Sequence, residues 1–172
     1  MAESRRHPQV AHLDELEART ISAGTKFGAT MKHLGFATGS KGLGCTWYEV
    51  ASGKAAFPRH FHCASEESLF VLEGEGTLRI GDDTVAVGAG DYVTMPIGPN
   101  YAHQLRNTGP GVLRYLCFST MNTAEVVGYP DSKKVGAMAA PSMEAALKGE
   151  TWVRFLAFEP SKVGYYDGEE TD

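Results

Sequence analysis

An all-β chain, closed into one barrel or sandwich, is the fold this sequence predicts, and three observations predict it. Short runs rich in Val, Ile, Phe, Tyr and Thr recur at close, even intervals. Glycine and aspartate turn signals separate them. A length of 172 residues, 42% of them hydrophobic and 22% charged, suits one globular domain with a full core.

The elements follow in order. His12 to Ala18 has apolar residues at a helical interval and acidic residues early, which predicts a short helix or turn. Strand signals then run over Phe27 to Leu34, Cys45 to Ala51, Phe57 to His62, Glu67 to Glu73 and Gly76 to Ile80. Asp82-Asp83 turns the chain into Val85 to Val87, and Gly88-Ala89-Gly90 turns it into Tyr92 to Met95. His103 to Arg106 and Val112 to Phe118 complete the series. Beyond residue 120 the pattern changes, and Asn122 to Ala140 is expected to be a loop-rich connection. Ser142 caps a helical turn or two ending near Leu147, and Thr151 to Phe158 alternates as a last strand. The chain therefore divides into an N-terminal extension over 1–26, a barrel over 27–120 and a C-terminal extension over 121–172.

Chemistry concentrates at His60-Phe61-His62. Two imidazoles at i and i+2 on a strand leave the same face, because side chains alternate across the pleat. A carboxylate and a third imidazole from neighbouring strands would complete a pocket for a divalent metal. Glu67 stands an odd number of residues after His62, so Cys63-Ala64-Ser65-Glu66 must form a turn or bulge that resets the alternation. Glu67 then shares a face with Leu69 and Val71, and Glu66 is the rival carboxylate. His103, reached through a Pro/Gly-rich loop, is the third imidazole. His7, His12 and His33 have no comparable partners. Cys63, beside His62, alternates to the opposite face and is expected to be a buried or turn thiol.

Over residues 44 to 120 these residues resemble the two motifs of the cupin superfamily. The first motif, His-x-His followed by Glu and then Gly, falls on His60, His62, Glu67 and Gly74, with Gly53 in place of the glycine that precedes it. The second falls on Gly90, Pro96, Gly98, His103 and Asn107, with four residues rather than two between Gly98 and His103. The resemblance implies a single jelly-roll barrel of the cupin 2 conserved-barrel type, since no second His-x-His follows. It fills every metal-binding position of the family. The lengthened loop and Tyr129-Pro130-Asp131-Ser132 are similar to small bacterial single-domain cupins, often labelled as sugar-phosphate isomerases or regulators, a label that is not a reaction.

The expected cofactor is one divalent transition metal held by His60, His62, Glu67 and His103, with Zn, Ni, Fe, Mn, Co and Cu all suited to such donors. Three neutral imidazoles and one carboxylate leave the ion with a net charge of about +1, which favours a small anionic chelator such as an oxo-acid, enediolate, catecholate or sugar acid. Two functions follow: a metalloenzyme of oxygenase, isomerase or decarboxylase type, or a binding protein that senses a sugar or other small ligand without turnover. Tyr48, Tyr92 and Tyr101 are candidates to line the cavity, while Gln104 and Arg106 alternate away from His103 and are expected to face outward. His33 is expected in the core, Trp47 in the core or an interface, and Asn107 holding a turn.

A formal charge of −5 argues against nucleic acid as a partner, and Arg5-Arg6 and Lys133-Lys134 are too short to form a basic stripe. The acidic end, from Asp167 to Asp172, reads as a polar tail. No apolar run reaches the roughly twenty residues that span a bilayer. No secretory signal is evident, and the three cysteines are an odd number, so the expected location is cytoplasmic with reduced thiols. Symmetric pairing into a homodimer through the terminal strand is the expected assembly.

Overall fold

The computed structural model describes residues 7–158 and 163–170, so Arg5-Arg6 and Asp172 lie outside the described residues. A 3-10 turn at Leu13–Glu15 leads into strands β1 (Arg19–Ala23) and β2 (Phe27–His33), and a single helical turn α1 (Leu34–Ala37) follows. Then come β3 (Leu43–Val50), β4 (Phe61–His62), β5 (Glu67–Glu73), β6 (Glu75–Ile80), β7 (Asp83–Gly88), β8 (Tyr92–Met95), β9 (His103–Asn107) and β10 (Leu113–Thr120). The C-terminal part adds β11 (Ala124–Tyr129), β12 (Lys134–Ala139), α2 (Met143–Leu147) and β13 (Val153–Phe158). No helix among the described residues is long and apolar enough to cross a membrane.

The fold is all-β and built from antiparallel ladders. One wall runs β1-β2-β3-β10-β5-β8, a second runs β7-β6-β9, and a third runs β13-β12-β11-β4. Single bridges from His60 to His103 and from Ala55 to Arg106 join the segment before β4 to β9. Alternation along each strand sends one set of side chains into a shared core: Leu69 and Val71 from β5, Leu78 from β6, Leu105 from β9, Leu113 and Tyr115 from β10. The same parity carries Glu67 and His103 inward on the strands that hold the core. Two of the candidate donors, Glu67 and His103, thus ride on strands that also carry the core.

Two motif residues have structural explanations here. Gly74 ends β5 with φ of +82°, and a β-carbon there would collide with the carbonyl of Val112. Asn107, 1% exposed, donates from Nδ2 to the carbonyls of Val50 and Gly111, each at 2.8 Å, and accepts at 3.0 Å from the Gly109 N–H. It closes the turn before β10 from inside, as its sequence position suggests.

The structure corrects several expectations. Residues 122–140 are not a loop: they contain the hairpin β11–β12, whose Gly128, Gly136 and alanines give a weak strand signal. Its strands form because β11 pairs with β4, placing Val127 opposite His62 and Gly128 opposite Phe61. The strand expected from Phe57 shrinks to Phe61–His62, since Pro58 has no N–H to give to a ladder. β1 was not anticipated from its polar Arg19-Thr20-Ile21-Ser22 run, and it exists by pairing along all of its length with β2. Helix α2 starts where the serine cap predicts, with Ser142 Oγ accepting from the Ala145 N–H at 3.1 Å.

Replacing Asn107 by Ala removes three buried hydrogen bonds and strands their backbone partners. Unfolding free energy by denaturant titration should fall by about 3 kcal/mol or more, at about 1–3 kcal/mol for each of the three backbone groups left unpaired. A loss under about 1 kcal/mol would show that the turn is held elsewhere.

Candidate metal centre

His60, His62, Glu67 and His103 converge, with one donor atom from each lying within 4.8 Å of all the others. His60 and His103 are brought together by their own backbones: His60 N donates to His103 O at 3.1 Å, and His103 N donates to His60 O at 2.8 Å. Their ring centroids stand 4.6 Å apart, and those of His60 and His62 stand 5.1 Å apart. His62 follows on the same face of β4. Glu67 opens β5 after the bend at residues 63–66 resets the alternation, and Glu66 is left exposed at the surface. The carboxylate of this cluster is therefore Glu67.

Two of the imidazoles turn Nδ1 outward to a backbone oxygen, and His62 Nδ1 is buried without a hydrogen-bond partner. His60 Nδ1 meets the carbonyl of Pro58 at 2.8 Å, and His103 Nδ1 meets the carbonyl of Tyr101 at 3.0 Å. A carbonyl only accepts, so in the neutral ring the proton sits on Nδ1 and the lone pair on Nε2. The lengthened Gly98-to-His103 loop makes this possible, because its extra residues form a 3-10 turn at Pro99–Tyr101 that presents the Tyr101 carbonyl. Gly98 also ties the loop to the site through its N–H to the His62 carbonyl at 2.8 Å. Inside, His62 Nε2 and His103 Nε2 are buried without a hydrogen-bond partner. They face Glu67 Oε2 at 3.6 and 3.4 Å, too far for good hydrogen bonds. Buried nitrogen lone pairs aimed at one carboxylate fit a divalent ion as the missing partner.

Residues 46–119 match the Cupin domain family. That stretch of the chain is a cupin domain. Among solved structures, the cupin resembles a sugar phosphate isomerase from a cupin superfamily of Silicibacter pomeroyi, at TM-score 0.73 and 21% identity over 94% of this chain and 95% of that one. It also resembles a Thermotoga maritima protein predicted to be an oxalate decarboxylase, at TM-score 0.58 and 26% identity over 66% of this chain and 99% of that one. An uncharacterized protein of Methanocaldococcus jannaschii is 35% identical over 60 residues, which is 35% of this chain and 46% of that protein. The match thus spans just under half of that curated relative.

The electrostatics of the cupin site keep its donors in the state a metal needs. Burial first, and the neighbouring His103 second, push His60 down to about 4, against the opposing pull of the Pro58 hydrogen bond and Glu67. Burial raises the Glu67 carboxyl, but the surrounding imidazoles of His103, His62 and His60 outweigh it and leave the group below the usual carboxylate range.

A cavity of about 70 Å³ adjoins the cluster, bordered by His60, Glu67 and His103 and walled by Leu69, Leu78, Met95 and Leu105. Tyr48 and Tyr115, stacked at 5.0 Å, form another side. Gln104 also borders it, contrary to the outward placement expected from alternation, because its Nε2 bends back to the Phe57 carbonyl at 2.8 Å. Tyr92, Tyr101 and Arg106 are exposed. His33 lies away from the cluster, its Nδ1 3.1 Å from Thr46 Oγ1. Trp47 is buried, and Cys63 is an exposed turn thiol.

Sequence reasoning missed Glu125 and Tyr129, both on β11. The Tyr129 ring lies over His60 at 6.1 Å, and Glu125 Oε2 stands 3.4 Å from His62 Nδ1. The β-branched pair Val126-Val127 is the one local signal that could have flagged this strand.

In metal-free protein, His60 should titrate near pH 4 by NMR, far below an ordinary imidazole. Its folded pKa is depressed, so the unfolded chain binds the proton more readily, and stability falls as pH drops from about 6.5 toward about 4. A His60 titration at or above 6.5 would contradict this.

Proposed function

We propose that this cupin binds one divalent transition metal through His60, His62, Glu67 and His103 and acts as a metalloenzyme on a small anionic metabolite. The convergence of imidazole nitrogens and the Glu67 carboxylate, beside a small cavity, is the observation that supports it most. A bound divalent ion supplies Lewis acidity and a docking point for oxygen donors. The protein supplies the rest. Nδ1 partners fix the His60 and His103 rings, Glu67 adds negative charge, and apolar side chains wall the space beside the donors.

Size narrows the ligand. At about 70 Å³ the cavity is far below the roughly 300–1,000 Å³ of a drug-sized pocket. It suits a compact oxo-acid better than the whole of a sugar phosphate. The likeness to the Thermotoga maritima protein is consistent with that class. A second reading, binding without turnover, is favoured by the other groups that line the cavity. Burial raises the Tyr48 and Tyr115 phenols and the Cys117 thiol, and Gln104 does not titrate, so none is a base near neutral pH.

Elemental analysis should find about one divalent ion per chain, lost in His62→Ala and Glu67→Ala and kept in Glu66→Ala. Metal-loaded protein should then convert a member of a panel of small oxo-acids, diketones and sugar phosphates, with the oxo-acids foremost. Saturable binding with no product selects the second reading. Metal retained in both His62→Ala and Glu67→Ala would overturn the ligand set.

The partner we infer is a second copy. β13 leaves Val153, Phe155, Leu156 and Phe158 exposed, next to an exposed Trp152, and its outer edge is unpaired among the described strands. Free Cys45, Cys63 and Cys117 suit a reducing cytoplasm. Light scattering should give the mass of two chains, and Phe155→Glu with Leu156→Glu should return it to one. A single-chain mass for the unaltered protein at micromolar concentration would remove the dimer.

A further inference from the structure

His62 differs from the other two imidazoles. His60 and His103 are each held by the carbonyl two residues earlier in their own segment, whereas His62 Nδ1 is buried with no hydrogen-bond partner among the described residues. The group that does face it comes from β11, outside residues 46–119. Glu125 is 9% exposed and fully engaged. Its Oε1 accepts from the N–H groups of Cys63 and Ala64, both at 3.0 Å, and of Val126 at 2.9 Å. Its Oε2 accepts from the Ser65 N–H at 2.8 Å and stands 3.4 Å from His62 Nδ1. One carboxylate therefore holds the bend that resets strand alternation before Glu67 and lays its negative charge against the outer edge of the ring before that bend, outside hydrogen-bond geometry.

We infer that Glu125 is a positioning residue of the metal centre, holding His62 in the tautomer that leaves Nε2 unprotonated toward Glu67 while clamping the 63–66 bend. The inference rests on the metal-binding reading of the cluster. Its physical basis is the sign of the charges. The alternative tautomer would aim the Nδ1 lone pair at a carboxylate oxygen and place an N–H on Nε2, where the donors converge. The favoured tautomer turns the positive end of an N–H toward that negative oxygen instead, an electrostatic contact at 3.4 Å rather than a formed hydrogen bond. Four backbone N–H groups pin the carboxylate, so it does not swing away to relieve the wrong tautomer. A carboxylate behind a ligating imidazole also makes the ring a better donor. His62 thus depends on the C-terminal part of the chain for what His60 and His103 obtain locally.

Glu125→Gln tests this without emptying the position, because its amide oxygen can keep the three Oε1 bonds while an NH₂ replaces Oε2 and gives up the one bond from the Ser65 N–H, a loss that a single-bond control matches. That NH₂ donates toward His62 Nδ1 and so favours the wrong tautomer. Thr120→Val is the control: Thr120 Oγ1 accepts from the Glu66 N–H at 3.0 Å, supporting the same bend without facing His62. With Co²⁺ alone as probe, in competition with a chelator, Glu125→Gln should bind about 10–100-fold more weakly, and Thr120→Val should stay within about threefold. Long-range ¹H–¹⁵N spectra of metal-free protein should show His62 protonated on Nδ1 in the unaltered chain and shifted toward Nε2–H in Glu125→Gln. Glu125→Asp, with a shorter reach, should fall between. If the unaltered protein binds no Co²⁺, the metal reading fails by itself, and the spectra still decide the tautomer. The inference is overturned if His62 carries its proton on Nε2 in the unaltered chain. Equal losses of Co²⁺ affinity in Thr120→Val and Glu125→Gln would overturn it too, since the role would then be that of a turn support.

Discussion

Two backbone hydrogen bonds exchanged between His60 and His103 are the constraint on which the rest of the site depends. They set two residues, distant along the chain, directly opposite each other across the barrel, so both rings leave on one face. Once this pair is fixed, the two-residue period of β4 delivers His62, and the wall formed by β10, β5 and β8 delivers Glu67. The core packs on the same parity, with Leu69 and Val71 beyond Glu67 and Leu105 beyond His103. A one-residue slip in either ladder would turn core and donors outward together. Fold stability and donor geometry are therefore a single specification.

The C-terminal part of the chain is built into this arrangement. β11 pairs with β4 at the level of His62, lays Tyr129 over His60 and brings Glu125 against the bend before Glu67. Burial is the largest influence on Glu125 and raises its carboxyl, but the Ser65 and Ala64 hydrogen bonds, joined by His62, more than reverse it and keep the group ionised. Two carboxylates then stand near the donors where the sequence suggested one. A divalent ion there would exert less pull on an anion than the charge of about +1 reckoned from Glu67 alone. The nearby cations do not restore that pull, since Arg59 and Arg79 both pair with Asp131, at 3.3 and 2.7 Å.

Legibility in the sequence followed the range of the interactions. β5 and β8 were readable end to end because their alternation and flanking glycines are local signals. The choice of Glu67 over Glu66 needed a bend that composition only suggested, and four hydrogen bonds from Glu125 and Thr120 hold it. β11 and β12 were not readable, since glycine and alanine weaken their intrinsic preference and pairing with β4 supplies the missing stabilisation. Gln104 misled for a related reason: alternation placed it outward, and a hydrogen bond to the Phe57 carbonyl drew it back to the cavity.

The amino-acid sequence by itself determined the all-β barrel and the candidate donors, three imidazoles and one of two adjacent glutamates, because strand period, turn glycines and donor identity are written residue by residue. Tertiary structure alone decided which ring nitrogen points inward, how small the cavity is, and that a glutamate from β11 stands behind His62. Those features depend on distances between segments tens of residues apart, and such distances exist only after ladders have paired and a core has closed around them.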